Sequence, residues 1–315
     1  MLIYGFDWQC YRDQVMPAFA RWLLSNDAAA VEALYAGTRL AYEETFLPTA
    51  MGAARTWSRA LAFVSALPRG PHSLCEYRLL CSAEEFTALS DRYLYRHVPH
   101  LHRCSEALAA VWGAIVERYC VRSERRRQAP AEAKPQATST RAVAALLSQP
   151  VEGESSPQAA SEICFEISEP GPTESPPEGL SLGQHPNVLR LRGWLAAISP
   201  AAMALFEFLA CGRRVLPFTE TLAPGPQGIV SSVSVCHYIG YLTPSEVERL
   251  AQYLRTVSAP DPKAAARDYD RFRQRLAAGQ EAPLIDEVLP THSAHLLSAV
   301  RSAAEQKLGL ICRQP

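Results

Sequence analysis

Two five-residue apolar runs sit at opposite ends of this 315-residue chain, Leu2-Ile3-Tyr4-Gly5-Phe6 and Leu308-Gly309-Leu310-Ile311-Cys312. Each reads as a strand, and each is too short to stand alone. Their backbone donors and acceptors need partners, so the two ends must join a sheet with each other or with an internal strand. Ile229–Leu242 supplies that internal strand. Pairing both ends with its second part, Val233–Leu242, predicts one small sheet covered by helices. The fold class is therefore α+β, mostly helical, with both flanks in one body.

Helical spacing fills most of the rest. Val15, Ala18, Phe19 and Trp22 recur at i, i+3, i+4, i+7. Pro17 fits such a helix only in its first turn, which places the start near Asp13. Asp27 is the expected cap of the next helix, with Val31, Leu34 and Tyr35 inward. Residues 57–66 give a third helix, and Ser82-Ala83-Glu84-Glu85 reads as a capping box for a fourth. A long helix opening at Pro99 carries Leu108, Val111, Trp112, Ile115 and Tyr119 as its buried stripe. In the second half, Leu189, Leu191, Trp194 and Leu195 share a helix. Ser199-Pro200 caps the next, whose Met203, Leu205, Phe206, Phe208 and Leu209 make it apolar nearly all round. Thr243-Pro244-Ser245-Glu246 is a further capping box, followed by Val247, Leu250, Ala251 and Leu254. Asp261-Pro262 and Thr291 open the last two helices.

Residues 142–189 hold no Lys or Arg, and they carry seven Glu and seven of the 24 Pro. Such a segment buries too little apolar area to offset the entropy of ordering it. The chain accordingly divides into a helical part over 1–121, a disordered acidic insertion or linker over 122–184, and an α+β part over 185–315. Within the insertion Ile163, Phe165 and Ile167 alternate. That pattern suits a strand added to a sheet edge, either of a partner or of the chain's own body.

The net charge of −1 leaves no global field for nucleic acid or an anionic membrane surface. The basic residues are 28 Arg and three Lys, scattered over both halves. Arg122 and Arg125, Arg126 and Arg127 form the only basic knot, which reads as the solvated end of the long helix, with phosphate contact as the alternative. No run of 18 apolar residues spans a bilayer, and the first residues lack a secretory pattern. Nine irregularly spaced Cys suit a reducing compartment, so a cytoplasmic location is expected.

Cys and His concentrate at His72, Cys75, Cys81, His97, His100, His102 and Cys104. Of these, Cys75, Cys81, His97, His100 and Cys104 are the candidate metal ligands, and zinc is the ion such ligands would take. Five residues separate Cys75 from Cys81, wider than the close pairs that structural zinc sites use, so no cofactor is the leading expectation. His292 and His295 read as a solvated pair at a helix start. Cys236 and His237 are adjacent on a strand and point to opposite faces, which prevents their pairing. No nucleophile elbow and no glycine-rich phosphate loop occurs, so no catalytic residue is assigned.

The segment Gly240-Tyr241-Leu242-Thr243-Pro244-Ser245-Glu246-Val247 resembles the strand-to-helix turn of small uncharacterised bacterial proteins with a Gly-Tyr-Leu-Thr-Pro-x-Glu-Val motif. The resemblance extends over about residues 215–312, including an Ala-rich helix running into a short apolar strand. It implies an α+β accessory protein of bacteria, in some cases encoded near defence or conflict systems. The leading expectation is a non-enzymatic, protein-binding adaptor whose partner is another protein. Two other readings stay open: a metal-dependent enzyme using the 72–104 cluster, and a nucleic-acid-associated factor using Arg122–Arg127.

Overall fold

The computed structural model describes residues 1–46, 55–82, 106–126, 162–166, 177–211, 238–261 and 289–314. Strand β1 (Leu2–Phe6) lies at the centre of an antiparallel sheet. On one side it pairs over its full length with β6 (Gly309–Arg313), from Leu2 opposite Arg313 to Phe6 opposite Gly309. Beyond β6 lies β5 (Tyr238–Leu242). On its other side β1 is shared by two strands. Its first residues pair with β4 (Leu180–Ser181) and its last with β2 (Cys120–Arg126). Strand β3 (Glu162–Glu166) extends the sheet beyond β2. The sheet that joins both ends of the chain is thus present, with the internal strand next to β6.

Both sheet faces are buried, which is why β1 and β5 are continuously apolar instead of alternating. Tyr4, Phe6, Cys120, Tyr238, Tyr241 and Ile311 point to one face. That face is covered by helices of the first half: α1 (Trp8–Cys10), α2 (Met16–Ser25), α3 (Ala29–Ala36), α5 (Thr56–Ser65), α6 (Pro71–Cys81) and α7 (Glu106–Glu117). A further helix, α4 (Arg39–Phe46), buries none of its residues. Ile3, Val121, Phe165, Ile239, Leu242, Leu310 and Cys312 point to the other face. There they meet α8 (His185–Ile198), α9 (Pro200–Ala210), α10 (Pro244–Tyr253) and α11 (Leu289–Glu305). A bulge between Tyr238 and Gly240 shifts the register of β5. The shift reverses the side-chain parity, so Tyr238 and Tyr241 reach the same face although three positions apart.

Several local expectations are corrected. The first helix begins at Asp7, whose side chain caps Cys10 N–H at 2.9 Å, not near Asp13. Pro17 still falls in the first turn of α2, which follows a π-helical turn over Tyr11–Val15. Asp27 accepts from Ala29 N–H at 3.2 Å, one residue before the cap position that Ala28 occupies. The last helix starts at Leu289, ahead of Thr291. Ser199 caps α9 as expected, accepting from Ala202 N–H at 3.3 Å. At α10 the Glu246 carboxylate reaches back to Thr243 N–H at 2.9 Å.

The largest correction concerns the acidic segment. The long helix stops at Glu117, and Arg122, Arg125 and Arg126 continue as strand β2 instead of a helix end. The expected boundary at 121/122 therefore falls inside a strand. Three pieces of the supposed linker, β2, β3 and β4, belong to the sheet. Phe165 is buried over Gly5, where an added Cβ would come within 3.0 Å of the Phe165 ring. Phe165 N–H donates to Ser302 Oγ at 3.0 Å. The alternating run thus docks on its own body. Its register sets Arg122 opposite Glu166 and Arg126 opposite Glu162. The return to the sheet is fixed at Ser123, whose hydroxyl donates to Glu178 O at 2.7 Å, and at Leu182, which donates to Met1 O at 2.9 Å.

Candidate binding groove

The corner between α3 and α4 places aromatic side chains around an open cavity of about 390 Å³. Thr38, fully buried, makes the corner: its hydroxyl donates to Tyr35 O at 2.7 Å and accepts from Ala41 N–H at 3.2 Å. Arg118 on the far side donates to Leu34 O at 3.0 Å and ties the corner to the body. Tyr35 then stacks on Trp57 of α5, with ring centroids 5.5 Å apart, and Trp57 stacks on buried Trp22 at 5.2 Å. This ladder forms a rigid wall. Tyr42 and Phe46, one turn apart on α4, form the rim with centroids 4.4 Å apart. Their rings are 37% and 66% exposed, and that of Phe46 is the most exposed large apolar side chain among the described residues.

Glu44 is held at this wall by two donors. Tyr35 OH donates to Oε2 at 3.1 Å, and Thr56 N–H donates to Oε1 at 3.0 Å. The second bond lets a carboxylate from α4 cap the N-terminus of α5, where negative charge is favoured by the helix dipole. Burial, and then the charge of Glu44, push the Tyr35 phenol well above its ordinary value, so it remains a donor to that carboxylate. Glu32 lines the same cavity, as does Arg55. The cavity lies at the small end of the range that ligand sites occupy, about 300–1,000 Å³. Its lining combines four aromatic rings with charged side chains.

The sequence-derived candidates lie elsewhere. His72 and Cys75 are both exposed on α6, and Cys81 ends that helix. His97, His100, His102 and Cys104 fall outside the described residues, as do Arg127, Ile167, Cys236 and His237. Among the described residues no three His, Cys, Asp or Glu gather closely enough to hold a metal ion. Arg125 and Ile163 face each other in register between β2 and β3. His292 and His295 are not a solvated pair. His292 is buried, and the Cβ of any residue replacing Gly183 would clash with its ring. His295 Nδ1 lies 2.8 Å from Ser181 O. Together they hold β4 and the left-handed Gly183 (φ 81°) that follows it, a long-range contact invisible to local pattern.

A second polar cluster lies at the edge of the sheet core. Glu117 Oε1 is 3.6 Å from Arg39 and 3.9 Å from Arg313, and the Arg313 guanidinium lies over the Tyr238 ring at 5.9 Å. Tyr238 OH is 3.7 Å from the Cys120 thiol. Burial pushes Tyr4 and Cys120 each up to about 12, so both stay protonated at neutral pH. No helix among the described residues is long and apolar enough to cross a membrane. No protein-family model matches the chain, and no curated protein or solved structure does either.

Proposed function

We propose that this is a protein-binding adaptor of the bacterial cytoplasm, acting without catalysis, whose docking site is the α3–α4–α5 groove. The observation that carries the reading is the exposed Tyr42–Phe46 pair set over the buried Tyr35–Trp57 wall. Aromatic anchors beside a preformed pocket are the features that dominate binding energy at protein interfaces. An accessory role, in some cases beside a defence or conflict system, is what the resemblance of the Gly240–Val247 turn implies, and it is compatible with this reading. Of the two sheet edges open to the alternating run, strand β3 takes the protein's own.

Quantitative affinity purification of the tagged full chain from its host tests the reading, with wild type compared against Tyr42→Ala/Phe46→Ala. Both rings are exposed, so thermal stability should change little, within about 0.5 kcal/mol for surface sites. The expected outcome is loss of one or more stoichiometric partners in the double variant at unchanged melting temperature. Retention of every partner would reject the groove as the docking site.

A further inference from the structure

The groove's chemistry points to the part of the partner that enters it. We infer that it receives a cationic side chain, Arg or Lys, from the partner protein. This rests on the groove being the docking site. Four rings line it: Tyr35, Tyr42, Phe46 and Trp57. Aromatic faces carry negative electrostatic potential and attract cations, guanidinium most of all. An aliphatic or aromatic guest would gain from the rings alone, and the carboxylates would then be a desolvation cost.

Charge decides between the two guests. Two carboxylates, Glu32 and Glu44, line the cavity against one guanidinium, Arg55. Glu44 is fixed in place by Tyr35 OH and Thr56 N–H, so it presents a preoriented anion beside the rings with no rotamer to be frozen on binding. An ionised carboxylate oxygen accepts more than one hydrogen bond, which leaves Glu44 able to meet a guanidinium or ammonium donor. The exposed Tyr42 and Phe46 rings cover the methylene stem of such a guest, as apolar surface commonly does for Lys and Arg.

Titrations of the 315-residue chain with acetyl-Ala-Arg-Ala-amide and acetyl-Ala-Lys-Ala-amide test this. Their neutral counterparts carry citrulline and norleucine, and the indole NMR signal of Trp57, assigned with Trp57→Phe, is followed at low and high salt. The expected result is saturable binding of the cationic peptides, at least tenfold tighter than the neutral ones and weakened by 0.5 M salt, roughly as expected for a partly screened ion contact. Glu32→Gln and Glu44→Gln should each reduce the cation preference severalfold. Glu32 is exposed, so its variant reports on charge even if Glu44→Gln loosens the start of α5. Equal binding of the neutral peptides, no binding of the cationic ones, or full preference in the Glu32→Gln variant would overturn the cation assignment. None of these outcomes touches partner loss in the Tyr42/Phe46 variant, which judges the groove itself.

Discussion

Cys120 and Cys312 sit on the strands flanking β1, one on each face of the sheet. The Cys120 thiol also donates to Val116 O at 3.7 Å. Burial raises both thiols from an ordinary 9.0 to about 12. A folded-state value above the unfolded one means that the native protein holds its protons more tightly. The stabilisation is complete below about pH 9 and declines as pH rises toward 12. Alkaline denaturation should therefore begin above pH 9, and Cys120→Ala/Cys312→Ala should flatten the slope. Native-state alkylation followed by mass spectrometry gives the matching readout: exposed Cys75 is labelled, while Cys120 and Cys312 react only on unfolding. Rapid labelling of Cys312 in the native protein would contradict its place in β6.

At the scale of elements, β3 carries the most. Its Phe165 fills the space over Gly5, so Phe165→Ala should cost roughly 3–5 kcal/mol, as buried Phe truncations do. Because Arg126 stands opposite Glu162, the two strands end side by side. Unchanged stability in Phe165→Ala would remove β3 from the sheet. The terminal strands were legible because burial on both faces leaves an unbroken apolar run, and short strands demand partners. The Arg-rich β2 was not legible. Its charged residues lie in register with Glu162 and Glu166, 36 and 44 residues further along the chain. The groove was equally hidden. Its rings at positions 35, 42, 46 and 57 come from three helices joined by the Thr38 corner, and periodicity tells which residues are apolar but not which face stays uncovered. The spacing of Tyr42 and Phe46 on a helix that buries nothing was the one local signal available.

At the scale of the molecule, the first half's helices and the second half's helices are two layers on one sheet. β1 pairs with β6 along its whole length, so neither layer closes its core without the other half's strand. Glu207, only 2% exposed on α9, is paired with half-exposed Arg192 of α8 at 2.5 Å, which ties the two helices of the second layer together. The groove lies on the outer side of the first layer and uses none of the sheet residues. The proposed docking and the stability given by the shared sheet thus rest on different residues. Hydrogen–deuterium exchange on the intact chain tests the shared sheet most directly, since strands of one cooperative unit open together. Leu2–Phe6, Gly309–Arg313 and Tyr238–Leu242 should exchange as one slow group and lose protection at the same denaturant concentration. Fast exchange of Leu2–Phe6 while Tyr238–Leu242 stays protected would contradict a sheet built from both ends of the chain.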